Sequence, residues 1–146
     1  MASRGGWTKL SAIEGLVWMS LETRILIVDD DPVNRELFRW ALCEHCQIDE
    51  LTNGNGAADQ IVRGAYDLVL LDIMMPLVDG VEVVEELGQS RPDLLQQVVV
   101  VTAALNTEFA SRIRAWPVGA LVERPYDPED ILALYNKHIG PERQPA

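Results

Sequence analysis

The sequence predicts an α/β fold of one domain: a doubly wound, five-stranded parallel sheet with helices on both faces. Three observations carry that expectation. Four short apolar runs recur along 146 residues, each continuous rather than alternating in polarity. Segments with helical spacing and clear start and stop signals separate them. The runs end in carboxylates, a hydroxyl or a cation rather than in ordinary turn residues.

The runs are residues 25–28, 68–71, 98–101 and 120–122. Unbroken hydrophobicity of that length is what a parallel strand shows when helices cover both of its faces. A fifth run, residues 47–51, is more polar and suits an edge. Helix one is announced by Asp31 as cap and Pro32 at the first helical position, after which Val33, Leu37, Trp40 and Ala41 recur at helical spacing. Residues 55–63 read as helix two, ended by Gly64; residues 81–87 as helix three, ended by Gly88; and residues 106–115 as helix four, ahead of Pro117. The last helix has Asp127 as cap, Pro128 behind it, Asp130 three residues after the cap, a face of Ile131, Leu134, Tyr135 and His138, and Gly140-Pro141 as terminator. Five β-α units joined by short connections imply right-handed crossovers and a parallel sheet. The polar second strand belongs at an edge, which selects the flavodoxin-like order 2-1-3-4-5. In such sheets ligands bind beyond the carboxyl ends of the strands, where the strand order reverses.

Composition narrows the function classes. With 48% hydrophobic and 24% charged residues the chain has the make-up of a globular protein. Twelve basic against 23 acidic residues give a formal charge of -11, a field that repels nucleic acid and anionic lipid. No apolar stretch approaches the roughly 20 residues of a membrane helix, and Glu14 interrupts the apolar part of the N-terminal segment, so a cytoplasmic location is expected. Cys43 and Cys46 with His45 between them have the spacing of half a zinc site, but no second cysteine pair follows and His138 is the only other histidine. They are expected to be structural thiols.

The chemistry is expected at the strand ends. The first strand runs into Asp29, Asp30 and Asp31, and the third into Asp72. Asp31 is accounted for as a cap. Asp29, Asp30 and Asp72 should converge, and like charges so close raise one another's pKa until a cation neutralises them. A hard divalent ion with oxygen ligands answers that need, and Mg²⁺ fits best, since it uses one or two carboxylates together with phosphate oxygens. Thr102 ends the fourth strand and Arg124 the fifth, on the same edge.

These residues resemble the response-regulator receiver domains of bacterial two-component signalling, over residues 23–140. Ile25-Leu26-Ile27-Val28-Asp29-Asp30-Asp31-Pro32 resembles the family's acidic-pair segment. Leu70-Leu71-Asp72-Ile73-Met74-Met75-Pro76, with Asp79-Gly80 after it, resembles the phosphoacceptor segment. Val100-Val101-Thr102-Ala103 is similar to the switch segment, and Arg124-Pro125-Tyr126 stands where the family has Lys-Pro-Phe. The resemblance implies that Asp72 accepts phosphoryl from a histidine kinase or phosphotransfer protein. It implies Mg²⁺ on Asp30, Asp72 and the backbone carbonyl of Met74, with Asp29 holding metal-bound water. Thr102 and Arg124 would meet the phosphoryl oxygens. No organic cofactor and no enzymatic activity beyond self-phosphorylation and slow autodephosphorylation are implied.

The chain departs from the family at several positions. Arg124 replaces lysine, exchanging a compact point charge for a planar, directional fork. Leu121 stands where an aromatic ring usually rotates on activation. Met74 and Ala104, where relatives influence attack of water, are both apolar.

Residues 1–22 precede the resemblance. Ser11 and Glu14 could cap a short helix bearing Ile13, Val17 and Leu21, or the segment could be an overlong start ahead of Met19. Residues 141–146 form a short tail, so the receiver is expected to stand alone, as a monomer or weak homodimer, and to signal to a protein target by direct contact. Two other functions fit part of the pattern. A haloacid dehalogenase-type phosphatase would use Asp29 and Asp31 in a D-x-D arrangement, and a receiver-like interaction module would never use phosphate.

Overall fold

A computed structural model describes residues 7–9, 18–20, 23–124 and 127–139. Five parallel strands form the main sheet: β1 (Arg24–Val28), β2 (Gln47–Leu51), β3 (Leu68–Asp72), β4 (Val98–Thr102) and β5 (Ala120–Glu123). Five helices connect and follow them: α1 (Pro32–Leu42), α2 (Ala57–Gly64), α3 (Gly80–Ser90), α4 (Glu108–Arg114) and α5 (Pro128–Ile139). The strand order is β2-β1-β3-β4-β5, as the sequence predicts.

Every residue of β3 and β4 is buried, whereas β2 is half-buried throughout. Alternation along the central strands divides the core. Ile25, Ile27, Leu68, Leu70, Val99 and Val101 face a layer that includes Phe38 and Leu42 of α1 and Ile131 and Tyr135 of α5. Leu26, Val28, Val69, Leu71 and Val100 face the other layer, which holds Ala57 and Ile61 of α2, Val81, Val84 and Leu87 of α3, and Ile113 of α4. The unbroken apolar runs are thus the inner layer of a three-layer sandwich.

Helix starts follow the predicted chemistry. Asp31 caps α1 by accepting from the Val33 amide at 2.9 Å, and Asp127 accepts from the Asp130 amide at 2.9 Å at the head of α5. Helix ends were less legible. Gly64 closes α2 from within, and the left-handed residue is Ala65, at φ 52°. Gly88 lies inside α3, which continues to Ser90, because a Cβ at this position would come within 2.2 Å of the Trp116 ring. This glycine makes room for a neighbour and does not stop the helix. A 3₁₀ segment, Pro92–Gln97, bridges α3 and β4.

Trp18–Ser20, which one of the two readings of the N-terminal segment puts in a short helix, is a strand, antiparallel to Trp7–Lys9. An isolated helix of this length is marginal in water, whereas pairing with a second strand satisfies the backbone of both segments. Ser11, Ile13, Glu14, Val17 and Leu21, with Pro125, Tyr126 and residues 140–146, lie outside the described residues.

The cysteine pair belongs to packing. Cys43 and Cys46 are free thiols; burial pushes the Cys46 thiol up to about 12, out of the range of a metal-binding thiolate. The intervening His45 lies against Tyr135, whose hydroxyl donates to the His45 carbonyl at 3.2 Å.

Gly80 fixes the approach of α3 to the sheet. Its amide donates to the Ile73 carbonyl at 2.8 Å, and a Cβ would meet the Asp72 carbonyl oxygen at 2.3 Å. A backbone neighbour cannot swing aside as a side chain can, so Gly80→Ala should destabilise the chain by about 2 kcal/mol, as overpacking does. Urea unfolding would check this, and an unchanged midpoint would contradict the close approach.

Candidate functional site

Four of the five strands deliver residues at or just beyond their carboxyl ends to one edge. β1 is followed by Asp29 and Asp30, β3 ends on Asp72 and β4 on Thr102, while Arg124 follows β5. β1 and β3 are adjacent, so the two acidic segments must meet. Carboxylate oxygens of Asp29, Asp30 and Asp72 lie within 4.8 Å of one another; Asp29 and Asp72 are buried and Asp30 is exposed. The convergence expected from the sequence is therefore present.

Asp29 is tied at every polar position. Its amide donates to the Leu51 carbonyl at 3.0 Å, extending the β1–β2 ladder. One carboxylate oxygen accepts from the Asp31 amide at 2.9 Å, and the other pairs with Arg124. The Asp29 carbonyl accepts from Arg35 at 2.7 Å. Burial is the largest effect on this carboxyl and raises its pKa against the lowering influence of the Asp31 amide and Arg124.

Asp72 is more strongly perturbed. Desolvation pushes its carboxyl up to about 7; Arg124 and the Met74 amide pull it down, and Asp29 and Asp30 push it further up. Arg124 reaches Asp72 at 3.4 Å with one guanidinium nitrogen and Asp29 with the other, so this cation spans the buried pair. Its backbone amide donates to the Thr102 carbonyl at 2.7 Å, holding the end of β5 beside that of β4. Thr102 is buried, and its hydroxyl is engaged with its own loop, donating to the Ala104 carbonyl at 3.0 Å and accepting from the Ala104 amide at 3.2 Å.

An open pocket above these groups is lined by Asp30, Asn34, Asp72, Met74, Ala103 and Arg124 among others. Its donor set is made of carboxylate oxygens, which suit a hard, oxygen-seeking divalent cation, and Mg²⁺ fits such a set. Met74 borders the pocket beside Asp72. Asp31, the second acid of the D-x-D pattern, has an oxygen committed to capping α1.

The sequence reading missed Arg35. This α1 residue joins the Asp29 carbonyl to Glu50 of β2, with Nε 3.1 Å from the Glu50 carboxylate, and Arg39 pairs with the same carboxylate. The available signal was two arginines one helical turn apart opposite an acidic edge strand, which by itself reads as a surface ion pair.

The fold and the pocket together define a doubly wound α/β protein with a cluster of three carboxylates at its switch point. The family model described as response regulator receiver domain matches residues 25–136. The transcriptional regulatory protein ResD of Bacillus subtilis is 34% identical over 114 residues, covering 76% of this chain and 45% of ResD. The response regulator MprA of Mycolicibacterium vanbaalenii is 35% identical over 116 residues, covering 77% of this chain and 48% of MprA. Among solved structures, a CheY-like receiver domain protein from Methanospirillum hungatei superposes with a TM-score of 0.72 at 26% identity, covering 85% of this chain and 97% of that one. The response regulator TrrA of Thermotoga maritima, solved in complex with Mg²⁺-BeF, gives 0.66 at 32% identity, covering 79% and 97%. The chain belongs to the response regulator receiver domain family of two-component systems. It spans about half the length of the curated relatives it matches. Among the described residues no helix is long and apolar enough to cross a membrane.

The elevated Asp72 pKa has a consequence for stability. Below the ordinary carboxyl value of 3.8 the group is protonated whether folded or unfolded and contributes no difference. Above about 7 it is charged in both states, but charged and desolvated only in the folded one, so metal-free protein loses stability as pH rises through this window. Urea unfolding in EDTA should show Asp72→Asn gaining on wild type by a few kcal/mol at pH 8 and by almost nothing near pH 4. A constant offset across that range would contradict the assignment.

Proposed function

We propose that this receiver accepts a phosphoryl group on Asp72 from a phosphohistidine of a histidine kinase or phosphotransfer protein, and then signals by protein contact in the cytoplasm. The observation that carries the reading is the meeting of three carboxylates from two adjacent strands within 4.8 Å, beneath an open pocket. In the transfer the P–N bond of the donor imidazole breaks and a P–O bond to Asp72 forms, which requires Asp72 as the carboxylate. Asp30, Asp72 and the backbone carbonyl of Met74 would hold Mg²⁺, with Asp29 retaining a water of the ion, and the ion would supply positive charge that keeps Asp72 ionised and offsets charge on the phosphoryl oxygens.

The chain's own residues do the remainder. Asp72 is presented at a strand end whose position is set by a buried, five-stranded ladder, so the nucleophile is pre-positioned. Thr102 would exchange its bond to Ala104 for one to a phosphoryl oxygen, drawing the loop after β4 inward. Arg124 would move from carboxylate to phosphoryl oxygens. The protein acts in this scheme as a switch, with no separate substrate to turn over.

Incubation with Mg²⁺ and acetyl phosphate, followed by intact-mass and peptide mass spectrometry, tests the reading. The expected result is one phosphoryl group per chain, on Asp72, and none on Asp72→Asn. A label on Asp29 would favour the phosphatase-like alternative, and folded protein that takes up no label would favour a phosphate-independent interaction module.

Met74 is exposed and Ala104 half-buried beside the site, and neither side chain can orient a water for attack on an acyl phosphate. Autodephosphorylation should accordingly be slow, with a half-life of minutes or longer in a phosphate-release assay. Loss of the phosphoryl group within seconds would contradict this.

A further inference from the structure

We infer that Arg124 is a built-in competitor of the divalent cation: its guanidinium closes the site by bridging Asp29 and Asp72, and metal binding is an exchange that displaces it. The inference rests on the metal-binding reading above. Three features of the structure support it. The two guanidinium nitrogens engage different carboxylates, Asp29 through Nη2 and Asp72 through Nη1 at 3.4 Å. Both carboxylates are almost fully withdrawn from solvent, with side chains 2% and 6% exposed, while that of Arg124 is 21% exposed. Finally, the Arg124 backbone is pinned to the Thr102 carbonyl, so the side chain is delivered to the cluster from a fixed base.

An arginine is suited to this role in a way that lysine is not. Its planar fork satisfies two carboxylates at once, in fixed directions, and it cannot lose its proton. Two buried charges matched in this way leave less negative potential to attract a second cation. For Mg²⁺ to take an oxygen of Asp72 and for Asp29 to hold a water of the ion, the fork must release at least one of the two carboxylates. Apparent affinity is then the intrinsic affinity multiplied by the fraction of molecules in which the fork is open. Asp30, exposed at the rim, is the carboxylate available for first contact. Arg124 is in this view a residue that sets metal affinity, in addition to any contact with phosphoryl oxygens.

The test uses the full chain and magnesium chloride alone, with no phosphodonor, read by calorimetry and by amide NMR shifts around Asp30 and Asp72. Arg124→Met should bind about tenfold more tightly than wild type, corresponding to a fork closed roughly nine-tenths of the time. Arg124→Lys should fall between the two. Arg39→Met removes the same charge from a pair with Glu50 rather than from the cluster, and should change affinity by no more than about twofold, as screened charges do. In wild type the Arg124 guanidinium resonances should shift with the same midpoint as the Asp72 amide, a readout that does not depend on a variant folding. If Arg124→Met binds no more tightly than Arg39→Met, or if the guanidinium resonances stay still during the titration, the exchange is overturned. If neither wild type nor any folded variant binds the ion, the metal-binding reading itself falls, and the exchange with it.

Discussion

Two carboxylates buried side by side at the end of a parallel sheet are the constraint around which the rest of the chain is organised. Taking an isolated charge out of water costs several kcal/mol even after the protein relaxes, and a second charge of the same sign compounds it. Asp29 and Asp72 are in that situation, with Asp30 adding to the repulsion. The structure answers with one cation, Arg124, and with amide donors from Asp31 and Met74. The remaining imbalance is visible in a carboxyl whose pKa is pushed up to about 7. Strongly shifted carboxyls of this kind, set in a cleft, mark candidate functional sites.

The sheet makes this arrangement affordable. β1 and β3 are adjacent and flanked on either side by further strands, and each face is covered by helices. Their backbone groups are committed to ladders, so the strand ends cannot drift apart to relieve repulsion. Gly80 then brings the head of α3 against the Asp72 carbonyl, and Arg35 holds the Asp29 carbonyl from the opposite side. The loop between β3 and α3 carries part of the cost, since Leu77 adopts a left-handed conformation at φ 69° that non-glycine residues avoid.

Much of this was legible in the residues. Continuous apolar runs named the strands, because burial on both faces erases alternation, and the polar run at residues 47–51 marked the edge. Asp31-Pro32 and Asp127-Pro128 announced two helices through local capping chemistry. What sequence could not supply was anything decided by a distant neighbour. Gly88 reads as a stop signal until Trp116 is seen packed against it. Arg35 reads as a surface charge until α1 docks beside β2. Arg124 was expected to face phosphoryl oxygens, and only the three-dimensional arrangement reveals that it first serves both buried carboxylates.

The order of strands places unequal duties along the functional edge. The acidic groups grow from β1 and β3 at the middle, Thr102 from β4 next to them, and Arg124 from β5 at the margin, where one side of the strand has no ladder partner within the sheet. Leu121 on that strand is half-buried and packs into the layer beneath α3 and α4. The margin of the sheet is therefore filled at this position by a branched aliphatic side chain, and not by an aromatic ring, between the strand and the helices below.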